Sequence, residues 1–144
     1  MKPFGAIAEN ADARSRDLLR AYFQHLRDCP RLRMPDVFRA VVRMPASRFF
    51  VSVPRAVEVV SALLRGDDLL HMRPNKRDMF LEIHRRVLLL RSRHPRWSLA
   101  RLVADVIASP APQFYLAPGS ARVLILKARR QWFAAKKLSR TRTS

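Results

Sequence analysis

Apolar side chains recur at intervals of three and four residues along most of the chain, which is the spacing of one face of an α-helix. The first such stretch is DARSRDLLRAYFQHLRD. Its apolar residues on one helix face are Leu18, Leu19, Tyr22, Phe23 and Leu26. No segment alternates apolar and polar residues for long enough to require a β-sheet. The pattern therefore predicts an all-α protein.

Prolines, glycines and small polar side chains mark where the predicted helices begin and end. Proline cannot continue a helix, and serine or asparagine can accept hydrogen bonds from the free N–H groups of a first turn. The predicted helix ends are Pro30, Pro45, Gly66, Pro95 and Pro110. The predicted caps are Ser52, Asn75 and Ser98, and Ala117 gives the last helix a weaker or later start.

The two halves of the chain resemble each other at an offset of 65 residues without a gap. The residues in register include Pro30/Pro95, Arg31/Arg96, Pro45/Pro110, Ala46/Ala111 and Phe49/Phe114. Helical proteins share apolar periodicity by default, but that alone does not align prolines and paired aromatics. We therefore predict two tandem three-helix units that arose by internal duplication.

These units predict a division of the chain into four parts. Residues 1–10 are expected to be a flexible N-terminus, and residues 11–72 the first trihelical unit. Residues 73–138 are expected to be the second unit, followed by a basic flexible tail at 139–144.

Each unit contains a proline-flanked loop with two adjacent aromatic residues, PASRFFVS in the first and PAPQFYLA in the second. We interpret Phe49, Phe50, Phe114 and Tyr115 as structural anchors of these loops, because burial of one such ring stabilises a small unit by about 2–3 kcal/mol. The alternative is that Phe50 or Tyr115 is a surface platform on which nucleobases stack.

The chain carries a formal net charge of +18, far more than the magnitude of roughly 2–8 that keeps a small domain soluble. The excess is concentrated in residues 73–144, with 17 basic and 3 acidic side chains against 12 and 8 in residues 1–72. Arginine outnumbers lysine by 24 to 5, which favours two-pronged binding of phosphate. The single Cys29 and the lack of a long apolar run predict a cytoplasmic protein that does not bind membranes.

The last predicted helix combines an apolar stripe with cationic residues and contains no acid. The residues of this stripe are Ala121, Leu124, Ile125, Ala128 and Trp132. Unbalanced repulsion along such a helix favours an anionic partner over a merely solvated face. The candidate nucleic-acid-binding residues are Arg122, Lys127, Arg129, Arg130, Lys136 and Lys137, with Arg48, Arg55 and Gln113 near the starts of the third helices. Secondary contributors are expected at Arg85, Arg86, Arg91, Arg93, Arg96, Arg140 and Arg142.

The sequence offers no constellation typical of catalysis. His25, His71, His84 and His94 lack the spacing of metal ligands, and the chain has only 3 glycines, so no phosphate loop can form. No nucleophile motif is present. We therefore expect a protein that is not an enzyme and that uses no cofactor or metal.

Three helices whose second and third members are joined by a fixed turn resemble the helix-turn-helix class in its broad homeodomain-like or Myb-like sense. In that class the third helix lies in the major groove of DNA. The loop pattern of PASRFFV and PAPQFYL is also similar to that of small basic proteins of gut bacteria and their mobile elements.

Charge and resemblance together predict a non-enzymatic nucleic-acid-binding protein, with DNA ahead of RNA as the partner. The alternative is a protein-interaction or assembly module. In that case the apolar third helix of the first unit would dock a partner protein, and the basic half would contact an acidic protein or a ribonucleoprotein.

Overall fold

A computed structural model describes the backbone of residues 3–29, 31 and 33–143, and the side chains of residues 10–29, 31 and 33–140. Its six helices are α1 (Pro3–Asp28), α2 (Met34–Val42), α3 (Val53–Leu64), α4 (Pro74–Arg93), α5 (Leu99–Ile107) and α6 (Pro118–Thr143). Within these residues no β-strand forms, and one isolated bridge joins Ala46 to Ala111. The all-α prediction is confirmed, whereas the internal duplication stays a prediction.

The helix boundaries follow most of the expected signals. Ser52 accepts a hydrogen bond from the Arg55 backbone N–H, and Ser98 accepts one from that of Arg101, so both serines are N-caps. Gly66 follows α3 with φ 101°, a conformation that costs glycine little. The cap predicted at Asn75 is wrong, because Pro74 already occupies the first turn of α4.

Both terminal helices are longer than the sequence pattern predicts. Helix α1 begins at Pro3, within the expected flexible N-terminus, since proline suits a first turn and the alanines that follow favour helix. Helix α6 begins at Pro118 and continues to Thr143, through most of the expected tail, because no glycine or proline follows Gly119. Pro30, the predicted end of the first helix, lies outside the described residues.

The helices that pack together are not the two predicted units. Helices α1, α2 and α6 contact one another, and we call them the outer body. Helices α3, α4 and α5 contact one another, and we call them the inner body. Between the described residues of the two bodies no helix packs on a helix. In space, therefore, α3 packs with α4 and α5, and α6 packs with α1 and α2, so each third helix leaves the two helices that precede it in its predicted unit. We call this arrangement the exchange of third helices.

Two connecting segments cross between the bodies, and they explain this exchange. The crossing loops, residues 43–52 and 108–117, bond to each other instead of turning back on their own helices. The N–H of Ala46 donates to the Ala111 carbonyl at 3.0 Å, and the reverse bond is also 3.0 Å. A chain that pairs in this extended way carries the third helix away from the first two.

The crossing loops also complete the ends of two helices. The Phe49 N–H donates to the Ile107 carbonyl at the end of α5 at 3.1 Å. The Phe114 N–H donates to the Val42 carbonyl at the end of α2 at 3.0 Å. Each loop thus supplies a partner for a carbonyl that has none within its own helix.

The four loop aromatics form two stacked pairs. Phe49 and Phe114 are almost fully buried in the core, whereas Phe50 and Tyr115 are partly buried against it. The ring of Phe49 stacks on Tyr115 with centroids 6.1 Å apart, and Phe50 stacks on Phe114 at 6.3 Å. Tyr115 adopts φ 55°, a costly conformation for a non-glycine residue that this packing holds in place. These contacts favour the anchoring role of all four rings.

A carboxylate in each body fixes one crossing loop. The buried Asp17 of α1 accepts a hydrogen bond from the Ser47 backbone N–H at 2.7 Å and from Arg20 at 2.7 Å. In the inner body Glu82 pairs with Arg85 and Arg86, both at 2.7 Å. Arg86 in turn donates to the Pro110 carbonyl at 2.7 Å. The bonds from Arg85 and Arg86 hold the pKa of Glu82 well below its usual value, at about 2.

The exchange of third helices predicts how fragments of the chain behave. A fragment of residues 1–72 contains α1 and α2 without α6, so the apolar residues of both helices that α6 covers are exposed. A fragment of residues 45–117, of nearly equal length, contains all three helices of the inner body. We expect cooperative thermal unfolding by circular dichroism only for the 45–117 fragment. A monomeric, cooperatively folded 1–72 fragment would contradict the exchange.

The Glu82 pair predicts a stability that depends on pH. Glu82→Gln should lower the free energy of unfolding by roughly 2 kcal/mol at neutral pH, because charged hydrogen bonds to Arg85 and Arg86 are lost. The stabilisation is complete above the ordinary pKa of 4.5 and is lost as pH falls through about 2. Urea titrations at decreasing pH should therefore show wild type and variant converging in acid.

Glu58→Gln is the matched control for this experiment. Glu58 pairs with Arg55 at 3.2 Å, but both side chains are exposed, so the variant should cost less than about 1 kcal/mol. An effect of Glu82→Gln that is equally large at neutral pH and in strong acid would contradict the assigned role of the pair.

Candidate nucleic-acid interface

Helix α6 carries most of its predicted cationic residues on one side. Ala121 and Ile125 are completely buried on the side of α6 that packs on α1 and α2, and this buried side adjoins the cationic side. Successive helix residues are rotated by about 100°, which places five cationic residues within an arc of about 120°. These residues are Arg122, Arg129, Arg130, Lys136 and Lys137. Lys127 lies outside this arc.

The cationic groups of α6 are not neutralised by acids. The helix itself contains no Asp or Glu, and Arg122, Lys127, Arg130 and Lys137 are exposed. None of these four forms an ion pair with another residue of the described part of the chain. Their charge is therefore open to a partner from solution.

Two further cations of α6 contact aromatic side chains of the outer body. Arg129 is half-buried, and its guanidinium donates to the Tyr22 hydroxyl of α1 at 3.2 Å. The Lys136 ammonium lies 4.2 Å from the centroid of the Trp132 ring. These contacts fix the positions of both groups without cancelling their charge.

Helix α2 and its C-cap add two arginines that the sequence pattern had not singled out. Arg39 and Arg43 are exposed and lie one turn apart. A cleft of about 400 Å³ between the starts of α2 and α6 is lined by Arg39 and Arg122. An adjoining cleft of about 540 Å³ is lined by Arg39, Arg43 and Gln113. The four-residue spacing of Arg39 and Arg43 on the polar side of α2 is the sequence signal that could have identified them.

Arg39 is only weakly engaged within the protein. Its guanidinium lies 3.7 Å from the Asp36 carboxylate, and both side chains are largely exposed. Such surface pairs are worth less than about 1 kcal/mol and can exchange partners readily. We call the open cations together the α6 surface, defined as Arg122, Lys127, Arg130, Lys136 and Lys137 of α6 with Arg39 and Arg43 of α2 and its C-cap.

The other two predicted contact residues have different surroundings. Arg48 is half-buried, donates to the Phe49 carbonyl at 3.3 Å and lies over the Phe50 ring at 5.7 Å. Arg55 belongs to α3, pairs with Glu58 and lines a separate cleft beside Arg14. Neither residue lines the two clefts that border α6.

The secondary cations are distributed over both bodies. Arg85 and Arg86 bind Glu82, so they hold the second crossing loop. Arg91, Arg93 and Arg96 are exposed near the end of α4, a helix that does not contact α6 in the described residues. Arg140 is exposed on α6, and the side chain of Arg142 lies outside the described part.

An exposed aromatic pair on α6 was not predicted as part of the site. Trp132 and Phe133 are 39% and 53% exposed. Trp132 packs on Phe23 of α1, with the ring centroids 5.4 Å apart, and meets Phe133 in an edge contact at 4.8 Å. The apolar periodicity placed Trp132 in the apolar stripe. Phe133 follows it on the cationic side of the helix, and this position could have identified Phe133 as part of the site.

The described residues form neither a metal-binding cluster nor a helix that could span a membrane. No three His, Cys, Asp or Glu side chains come together in this part of the chain as a possible metal site. None of its helices has the length and apolarity needed to cross a membrane.

Comparison of the chain with protein-family models, with curated proteins and with solved structures finds no match. The candidate interface therefore rests on the geometry and charge of the described residues.

Proposed function

We propose that this protein is a non-enzymatic nucleic-acid-binding protein that contacts phosphates through the α6 surface. The observation that carries the proposal is the acid-free array of cations on α6, of which Arg122, Arg130 and Lys137 lie on one side of the helix and have no ion-pair partner among the described residues. Retaining such an array costs stability through self-repulsion. A polyanion that binds along the helix removes this cost.

Arginine and lysine play complementary parts in this proposal. Arg122 and Arg130 can each give two parallel hydrogen bonds to a phosphate, whereas Lys127 and Lys137 act as point charges. The adjoining Arg39 and Arg43 widen the surface across the cleft beside α6. A surface of this width can follow a nucleic-acid backbone over several consecutive phosphates.

DNA is the partner that we place first, and its closely spaced backbone phosphates are present in single strands as well as in duplexes. Phosphate contacts position a protein but do not distinguish sequences. Among the predicted contact residues Gln113 is the one without a charge, and it is half-buried in the cleft with Arg39 and Arg43. We therefore propose binding with little sequence preference.

The main alternative is a protein-interaction module, and its expected docking helix has a different role in the structure. Ala56, Val59 and Val60 of α3 are buried, and the helix packs on α4 and α5. The apolar face of α3 is thus occupied within the protein itself. An acidic protein that binds the α6 surface remains the competing occupant, and nucleic-acid titrations separate the two.

The salt dependence of binding is the first test. If six of the α6 surface cations meet phosphates, the logarithm of the binding constant should fall with the logarithm of salt concentration at a slope of about −5. Fluorescence anisotropy of a labelled duplex DNA, a single-stranded DNA and a structured RNA over a salt series measures this slope. No binding to any of the three at about 50 mM salt would refute the proposal.

Charge reversal of Arg122, Arg130 and Lys137 to Glu is the second test. These side chains have no ion pair in the described structure, so the fold should persist while the salt slope loses about three units. The matched control reverses Arg91, Arg93 and Arg96, which changes the net charge equally on the inner body. Equal losses of affinity in both variants would show attraction by net charge alone and contradict the assigned surface.

A further inference from the structure

We propose that the α6 surface prefers unpaired nucleotides, with Phe133 as the platform on which an exposed nucleobase stacks. This inference rests on the proposed function and adds to it the state of the nucleic acid. The chemistry required is a flat base with flanking phosphates, which single-stranded DNA and RNA both provide.

Phe133 stands at the centre of the cationic side of α6. Its neighbours at three and four residues in each direction are all cationic: Arg129, Arg130, Lys136 and Lys137. Such neighbours lie about 5–6 Å apart on a helix surface. The ring is 53% exposed, although it is a large apolar side chain surrounded by charge. An aromatic face between phosphate-binding groups is the arrangement that single-strand-binding proteins use.

The ring also contacts an aromatic neighbour that is itself packed on α1. Trp132 is packed on Phe23 of α1, and its ring meets Phe133 at an interplanar angle of 76°. Lys136 covers part of Trp132, and Arg129 is bonded to Tyr22. A platform positioned in this way loses little conformational entropy when a base stacks on it.

The distribution of apolar residues argues against a lipid surface as the occupant. A helix that lies in a membrane needs a continuous apolar face. At about 100° per residue, Phe133, Ala134, Leu138, Ala135 and Trp132 point in directions spread around the whole helix. Trp132 is moreover packed on Phe23. Phe133 is therefore one aromatic residue among cations and does not belong to an apolar stripe.

Base pairing would prevent the proposed contact. In a duplex the bases are stacked inside and show only their edges in the grooves, so the Phe133 face has no base to receive. In a single strand every base has a free face. Phe133 should therefore contribute to single-strand binding and leave duplex binding unaffected.

The test compares three proteins by fluorescence anisotropy on labelled single-stranded oligo-dT, oligo-U and a hairpin duplex with the same number of phosphates. Phe133→Leu keeps an apolar side chain but removes the aromatic face, and it should weaken oligo-dT and oligo-U binding about tenfold. Duplex affinity and all salt slopes should stay unchanged. Phe133→Trp keeps an aromatic face and should therefore retain the single-strand affinity of the wild type. A difference between oligo-dT and oligo-U would identify DNA or RNA as the better ligand.

Val123→Leu is the matched control, since Val123 is an exposed apolar residue of α6 that does not adjoin Phe133, and it should not alter binding. Circular dichroism verifies the helicity of each variant. Binding of wild type to no nucleic acid would overturn the proposed function together with this inference. Binding of wild type to all three probes, with Phe133→Leu affecting none of them or all equally, would overturn the inference alone. Loss of binding to anionic phospholipid vesicles in Phe133→Leu, with oligonucleotide binding intact, would also overturn it in favour of a membrane.

Discussion

The pairing of the crossing loops is the constraint on which the rest of the structure depends. Two short hydrogen bonds between Ala46 and Ala111 join the loops, and the stacked rings of Phe49 and Phe114 with their partners fill the space around them. Because no described helix of one body packs on a helix of the other, these loops are the junction between the bodies. Both α3 and α6 reach their packing partners through these loops.

The exchange decides the composition of the candidate interface. It brings α6 against α2, so that Arg39 and Arg43 from the first half of the chain lie beside Arg122 from the second. It also brings α6 against α1, where Tyr22 and Phe23 hold Arg129 and Trp132. The interface is therefore a product of both halves of the sequence.

Local signals made much of the fold predictable from the sequence. The apolar periodicity predicted the helices, and Ser52, Ser98 and Gly66 marked boundaries, because each acts through hydrogen bonds or dihedral angles of nearby residues. The packing partners of α3 and α6 were not predictable, because α1 with α2 and α4 with α5 present similar apolar faces to a third helix. The cations of α6 were predicted from composition, whereas the participation of Arg39 depends on the exchange, and the position of Phe133 was overlooked although its spacing was visible.

The inner body is continuous in sequence from Val53 to Ile107, whereas the outer body is interrupted by it. During translation α1 and α2 leave the ribosome first, yet the apolar residues that α6 covers stay exposed until that helix has been made. At about 5–20 residues per second this interval lasts on the order of several seconds. The middle of the nascent polypeptide can thus fold before its beginning, and α1 and α2 are available to a chaperone throughout that wait.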